Sequence, residues 1–181
     1  MDSTFTFIDV EASGLDHKSY PIQIGWADNL GIVDEFLINP NTAKDWNYWD
    51  SYAETNVHGI SRERCESDGL SVYDAATRLN SQLSGLYVIS DAIDYDQKWV
   101  DQLFKEAGVI RTFEMIDVRD VIFSLRENPR DFFNERKARK VHHTAVEDCL
   151  RNLHSGAACG FWELDIEFTN VFGGIQILSS A

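Results

Sequence analysis

Apolar and polar side chains alternate with a period of two in the first part of the chain, which is typical of β-strands. This alternation predicts three strands, over residues 4–10, 20–27 and 32–38. The second and third are joined by the turn-rich link 28–31, which predicts a hairpin. Residues 42–69 follow no regular period and are rich in aromatic side chains.

Farther along, apolar residues recur at helical spacing and alternate with short apolar runs. Residues 72–83 predict a helix with Ser71 as its N-cap, and a helix around residues 99–104 ends at Gly108. The other predicted elements are strands over 86–89 and 109–116, helices over 118–125 and from Ala145 to about Ser155, and a polar connection after Pro129. This order indicates an α/β fold, a mixed five-stranded sheet with three antiparallel first strands and flanking helices.

Composition favours one globular domain over residues 1–181, because 44% of the 181 residues are hydrophobic and 12% are aromatic. The segments of chemical interest lie within about residues 5–155. The apolar residues 156–181 form a C-terminal extension, expected either to pack on the core or to make a homodimer contact. No apolar run approaches the roughly 18 residues of a membrane helix, and the N-terminus lacks a signal-peptide pattern, so we expect a cytoplasmic protein with no membrane partner.

The three cysteines, Cys65, Cys149 and Cys159, are far apart and include no C-x-x-C pair. This spacing argues against a disulfide framework or a zinc site and predicts buried reduced thiols.

The formal net charge of −14 argues against a protein that wraps duplex nucleic acid by phosphate contacts alone. A nucleic-acid enzyme remains compatible with this charge, because bound divalent cations reverse the local field of a carboxylate site. The basic residues concentrate in the run 136–140, directly before His142 and His143. Two interpretations of this run stay open, a solvated face or a contact to phosphate. His142 itself is interpreted as a surface residue.

Asp9 and Glu11 lie two residues apart on the first predicted strand, so both side chains point to the same face. Two adjacent carboxylates repel each other unless a cation lies between them. The pair alone leaves open a strand end hydrated by solvent.

Asp96 lies near the start of the helix that follows the fourth strand, with Asp94 predicted as its N-cap. A carboxylate in a first helical turn is also explained by the helix dipole, without any further role.

Thr144 and Glu147 fit a capping box, which starts the last helix at Ala145. His143 then lies just outside the helix and Asp148 inside its first turns. A histidine titrates near neutral pH and is a suitable general base for a water molecule. Four carboxylates and one histidine are the set that holds two divalent cations and activates water against a phosphodiester.

Three segments of the chain resemble the exonuclease motifs of the DEDDh 3′–5′ exonucleases, a superfamily that includes the polymerase III proofreading subunit, RNase T and oligoribonuclease. The first is residues 7–15, the second is Tyr95–Asp96, and the third is His143 with Asp148 five positions later. Residues 57–61 also resemble the His-Gly-Ile segment of many members. Together these segments span residues 5 to about 153 in the superfamily's order and spacing.

This resemblance implies a ribonuclease H-like fold that binds two Mg²⁺ or Mn²⁺ ions. The implied ligands are Asp9, Glu11, Asp96 and Asp148, with His143 as the general base. The implied reaction is hydrolysis of the 3′-terminal phosphodiester of single-stranded or short RNA or DNA, releasing nucleoside 5′-monophosphates. The residues implied to contact substrate are Ala12, Ser13, Gly14, Leu15, His58 and Tyr95.

Several interpretations of neighbouring residues stay open. Leu15 is either a stacking wedge or a core side chain, and the aromatic residues Trp46, Tyr48 and Trp49 either stack on bases or pack over the sheet. Asp91 and Ala92 stand where the superfamily often has His and Asn, so Asp91 is either an extra carboxylate of the cleft or a cap of the strand end. These departures, with the acidic exterior, keep a second hypothesis open: a non-catalytic module that binds nucleic acid or protein.

Overall fold

The computed structural model describes residues 4–141 and 143–164, and the backbone of 167–171 and 174–178. The strands of the main sheet are β1 (Thr6–Ala12), β2 (Pro21–Asp28), β3 (Val33–Leu37), β4 (Tyr87–Ser90) and β5 (Glu114–Asp117). The helices are α1 (Ser51–Ala53), α2 (Arg62–Asp68), α3 (Val72–Leu83), α4 (Ile93–Ala107), α5 (Val118–Ser124), α6 (Pro129–Ala138) and α7 (Ala145–Ala158). A 3₁₀ turn covers Pro40–Thr42, and a π-helical turn, Glu54–His58, continues α1.

The five strands lie in the order β3-β2-β1-β4-β5. Strand β2 pairs antiparallel with both β1 and β3, whereas β1 is parallel to β4 and β4 to β5. In the β2–β3 link the Asp28 carboxylate accepts the backbone N–H groups of Leu30 and Ile32, which closes the hairpin. The predicted mixed sheet with three antiparallel first strands and flanking helices is confirmed.

Alternate residues of β1 belong to two buried clusters on opposite faces of the sheet. Ile8 and Val10 join a cluster with side chains of α3 and α4. Phe7 joins the cluster on the other face, built with side chains of α5, α6 and α7. The parity of β1 therefore decides which helical layer each of its side chains meets.

Some element predictions were wrong. Residues 129–138 form α6, not a polar connection, because Pro129 occupies the first turn of the helix and Asn128 caps it by accepting the Arg130 N–H. Asp94 is not the cap of α4; Ala92 holds that position, and Asp94 lies in the first turn. The fifth strand covers Glu114–Asp117 alone, and the irregular region 42–69 contains α1, the π-helical turn and α2.

The described part of the C-terminal extension begins on the core. The Trp162 ring lies 5.6 Å from that of Phe7 and 6.1 Å from that of Phe132, measured between centroids. Strands β6 (Glu167–Val171) and β7 (Gly174–Leu178) pair antiparallel in a sheet of two strands. The homodimer interpretation of this segment stays a prediction, and the interpretation of His142 lies outside the described residues.

The three cysteines are free thiols; Cys65 and Cys149 are buried and Cys159 is half-buried. Burial raises the pKa of Cys65 to about 12, so that thiol is protonated at neutral pH. Within the described ranges, no helix combines the length and apolar character that crossing a bilayer requires.

Candidate metal centre

Strand β1 carries Asp9 and Glu11 on the face that α7 covers. Both share the parity of Phe7, which packs among the helices of that layer. The two carboxylates lie towards the C-terminal end of the strand, and Asp9 pairs in register with Gly25 of β2. Their arrangement on one face is as the sequence predicts.

Helix α7 is held over this face by side chains of the neighbouring strands. The Ala145 N–H donates to Gln23 Oε1 on β2 over 3.3 Å, and the Val146 N–H donates to Glu35 Oε1 on β3 over 2.9 Å. These acceptors satisfy two of the backbone donors that a helix start leaves unpaired. They were missed by the sequence reasoning because they lie more than a hundred positions away along the chain.

Thr144 is the N-cap residue of α7, as predicted, but the expected capping box does not form. Its hydroxyl donates to the Glu147 carboxylate over 2.9 Å and makes no side-chain bond to the helix backbone. Anchoring by β2 and β3 therefore replaces local capping, and it places Asp148, one turn into the helix, against β1.

Oxygen atoms of Asp9, Glu11 and Asp148 lie within 4.8 Å of one another, close enough to share a metal ion. Asp96 approaches from α4, which begins directly after β4. Its Oδ2 accepts the Ser90 hydroxyl over 2.5 Å. Since β1 and β4 are parallel, their C-terminal ends lie at the same end of the sheet, and the predicted acidic residues lie close together there.

Burial and the neighbouring negative charges raise the pKa values of the clustered carboxyl groups. Burial, followed by the charges of Asp148 and Asp96, raises the pKa of Glu11 to about 7. Burial likewise raises the pKa of Asp96 to about 7, against the opposing hydrogen bond from Ser90. The pKa of Asp9 is raised well above its ordinary range by burial and by neighbouring charges; those neighbours are Asp96, Glu11, Asp148 and Asp91. Unpaired negative charge in a buried cluster is unfavourable, and a divalent cation is the group that would relieve it.

A raised carboxylate pKa makes the folded protein lose stability as pH rises. The unfolded chain ionises Glu11 near pH 4.5 and the folded chain near pH 7, so the contribution is intact below about 4.5 and lost by about 7. We expect Glu11→Gln to gain melting temperature relative to the wild type between pH 5 and pH 8 in chelator. The scale is about 2–4 °C for each kcal/mol.

Differential scanning fluorimetry of both proteins across this pH range measures the effect. Taking their difference cancels the opposing contributions of His58 and His154, whose pKa values burial lowers. Excess Mg²⁺ at pH 8 should stabilise the wild type more than the variant. A difference that shrinks as pH rises would contradict the raised pKa of Glu11.

The two histidines of the predicted site occupy different environments. His143 is exposed, directly before α7, with a left-handed backbone (φ 57°). His58 is buried, and its Nδ1 accepts the Ile60 N–H over 3.0 Å, so its proton lies on Nε2. That Nε2 has no hydrogen-bond partner among the described residues. Burial is the main cause that lowers the pKa of His58, and the charge of His143 adds a smaller effect in the same direction.

The residues predicted to contact the substrate differ in their exposure to solvent. Leu15 is 78% exposed, which excludes the core interpretation, and Tyr95 is also exposed. Ser13 is buried, and its N–H donates to the Tyr20 carbonyl, so this donor is already engaged within the protein. Ala12 is half-buried, and Gly14 adopts a φ of +150° close to Tyr48.

The structure also bears on the alternatives left open for the aromatic residues, the basic run 136–140 and Asp91. Trp46 is buried and stacks on Tyr20 at 5.0 Å, so packing explains it, whereas Tyr48 is half-buried. In the basic run, Arg136 forms an ion pair with Asp91 over 2.7 Å, whereas Lys137 is exposed. Asp91 is therefore a partner of Arg136.

The donor set fits a hard divalent cation such as Mg²⁺ or Mn²⁺, because it consists of carboxylate oxygens converging at one strand end. Asp9, Glu11 and Asp148 would hold the ion directly, and Asp96 is near enough to raise the pKa of both β1 carboxylates.

No family model and no curated protein matches the sequence. Solved structures of Exonuclease I do match the fold. An apo form aligns with a TM-score of 0.64 at 18% identity, over 86% of this chain and 41% of that one. The zinc-bound E. coli complex with single-stranded DNA aligns with a TM-score of 0.62 at 18% identity, over 89% of this chain and 40% of that one. Exonuclease I of Methylocaldum szegediense aligns with a TM-score of 0.63 at 17% identity, over 83% of this chain and 39% of that one.

The chain thus spans about two fifths of the length of these structures. At this identity the likeness concerns the fold. The architecture that brings the carboxylates together is the ribonuclease H-like α/β fold found in Exonuclease I.

Proposed function

We propose that the protein is a divalent-metal-dependent 3′–5′ exonuclease that hydrolyses the 3′-terminal phosphodiester of single-stranded or short nucleic acid and releases nucleoside 5′-monophosphates. The observation that carries the proposal is the convergence of Asp9, Glu11 and Asp148 oxygens within 4.8 Å. Exonuclease I, which shares the fold, has been solved with zinc and with single-stranded DNA, which supports both the metal and the substrate class.

In this proposal Asp9, Glu11, Asp96 and Asp148 hold two Mg²⁺ or Mn²⁺ ions. When bound, such ions lower the pKa of water and neutralise charge developing on phosphate. Asp96 is oriented for this role by the hydrogen bond from the Ser90 hydroxyl. The carboxylates give up their protons on loading, because a nearby cation favours their charged form.

His143 is proposed as the general base that takes the proton from the attacking water. Its exposure keeps the imidazole accessible to solvent and substrate, and its position one residue before Thr144 lies at the start of the helix that carries Asp148. His143→Ala should reduce kcat by roughly 10²–10⁴-fold, the usual contribution of general-base catalysis. Mn²⁺ affinity should stay unchanged, since His143 is not a ligand, and isothermal titration measures it. Weakened Mn²⁺ binding would make His143 a ligand instead of a base.

Three side chains are proposed to receive the terminal nucleotide. Leu15 offers an exposed apolar surface, and Tyr95 an exposed ring for stacking. His58 offers a buried Nε2–H donor whose partner would come from the substrate. Ala12 and Gly14 complete the loop around them.

The proposal is tested with 5′-labelled DNA and RNA strands, from dinucleotides to overhang duplexes, incubated with Mg²⁺ and with Mn²⁺. The expected products form a ladder shortened from the 3′ end, with a circular single strand left intact. Cleavage of the circle would indicate an endonuclease on the same fold. No product from any strand with either ion would favour the non-catalytic binding module.

A further inference from the structure

Asp148 has a positively charged partner in addition to its acidic neighbours. Arg151 lies one helical turn later on α7, and its Nη1 donates to Asp148 Oδ1 over 3.2 Å. Both side chains are enclosed, with 8% of the arginine and 10% of the aspartate exposed. A guanidinium in such an enclosed site is more than a mobile surface charge, since little water competes for its hydrogen bonds.

Arg151 is itself fixed from the opposite side. Its Nε and Nη2 both donate to the backbone carbonyl of Arg136, over 3.1 and 2.8 Å. That carbonyl lies in the last turn of α6, so a main-chain atom holds the fork of the guanidinium. Three donors of one side chain are thereby engaged within the protein, which leaves Arg151 poorly placed to bind substrate phosphate.

The Arg136 side chain is fixed in turn at the end of β4. It pairs with Asp91 over 2.7 Å, and its Nε donates to Asn152 Oδ1 over 2.7 Å. The Asn152 amide donates back to Asp91 Oδ1 over 2.7 Å, which closes a triangle of polar contacts. This triangle joins the end of β4 to α6 and α7. Helix α4, which carries Asp96, begins directly after β4, and α7 carries Asp148.

We propose that Arg151 is a positioning residue that holds the Asp148 carboxylate in the orientation required for binding a divalent cation, with Asp91, Asn152 and Arg136 as its support. The inference rests on the proposed role of Asp148 as a metal ligand. A carboxylate has two oxygens, so Asp148 can accept from Arg151 on one and bind a cation through the other. The arrangement also gives Asp91 and Arg136 a shared role within the protein.

The direction of the effect distinguishes positioning from charge. If Arg151 were only a nearby positive charge, removing it would tighten cation binding by relieving repulsion. If it orients Asp148, removing it weakens binding, because the carboxylate must then be ordered when the ion binds. Groups that orient metal ligands typically contribute 10–100-fold in metal affinity.

The test is Mn²⁺ titration of the full chain, followed by the electron paramagnetic resonance signal of free Mn²⁺, without nucleic acid. Arg151→Met should weaken Mn²⁺ binding by about 10–100-fold. Arg151→Lys, which keeps the charge and loses the planar fork, should fall between Met and the wild type. Arg78→Met is the matched control, because Arg78 pairs with Asp34 on β3, away from the cluster, and should bind as the wild type does.

Equal or tighter Mn²⁺ binding by Arg151→Met would overturn the inference and leave the exonuclease proposal standing. The Lys variant keeps the test decisive if the Met variant does not fold, since unchanged affinity there also argues against the planar fork as the orienting element. A wild type that binds no Mn²⁺ would overturn both the inference and the proposed function.

Discussion

Gly25→Ala is expected to separate α7 from the sheet and to weaken cation binding, although Gly25 itself offers no ligand. A Cβ at this position would lie 2.5 Å from the Val146 backbone nitrogen and 2.8 Å from the Ala145 carbonyl carbon. These are backbone atoms and cannot rotate away, so the start of the helix must move. Asp9 pairs in register with Gly25, and Asp148 lies one turn into the displaced helix.

Overpacking of this kind typically costs about 1–3 kcal/mol. We expect a melting temperature lower by several degrees, together with at least a tenfold loss of Mn²⁺ affinity and of nuclease activity, as for groups that orient metal ligands. Thermal unfolding, Mn²⁺ titration and oligonucleotide turnover measure the three effects.

Gly156→Ala is the matched control at the far end of the same helix. A Cβ there would overlap the Trp162 ring, so this variant is destabilised as well, but the disturbance falls on the packing of Trp162. At a temperature where both variants are folded, Gly156→Ala should keep its Mn²⁺ affinity. Equal loss of affinity in both variants would show that general destabilisation, and not the separation of Asp148 from Asp9, explains the result.

Asp9→Asn is expected to abolish turnover and to stabilise the protein in the absence of divalent cations. The pKa of Asp9 is raised well above its ordinary range, chiefly by burial and then by the charge of Asp96. Its ionised form therefore destabilises the folded state at pH 8, and a neutral amide removes that cost. The same change removes a proposed ligand, and a loss of about 4 kcal/mol of transition-state stabilisation corresponds to roughly a thousandfold in rate.

Two measurements on one preparation separate these effects. In chelator at pH 8 the melting temperature of Asp9→Asn should exceed that of the wild type, and excess Mg²⁺ should reduce the difference. Turnover of an oligonucleotide with Mg²⁺ should fall by about a thousandfold or more. Asp101→Asn is a suitable control, because Asp101 lies exposed on α4 and pairs with Arg111. A destabilised Asp9→Asn would contradict the self-repulsion of the cluster.

Local patterns in the sequence were sufficient to predict the sheet and the strand-borne carboxylates. The period of two on β1 places Asp9 and Glu11 together, and Ser71 caps α3 as predicted, accepting the Asp74 N–H over 3.1 Å. Both depend on residues within a few positions of one another. Pro129 was the local signal interpreted wrongly: as the end of α5 it predicts a connection, whereas with Asn128 before it the same residue begins α6.

Long-range contacts could not be predicted from these patterns. Glu35 anchors Val146 across 111 positions, and Asn152 meets Asp91 across 61. Nothing in the sequence near Glu35 or Asp91 distinguishes such residues from other acidic side chains of the chain. Exposure had the same limit, since only the fold shows that Leu15 is exposed and Trp46 buried.

The central claim is that the carboxylates gathered at the end of β1 act on nucleic acid only when a divalent cation is bound. The most direct measurement follows a 5′-labelled single strand at pH 8 with wild type and Asp9→Asn, first in chelator and then in excess Mg²⁺ or Mn²⁺. The account predicts stepwise shortening from the 3′ end by the wild type when a cation is added, and none in chelator or with Asp9→Asn. Shortening by the wild type in chelator, or undiminished turnover by Asp9→Asn, would contradict it.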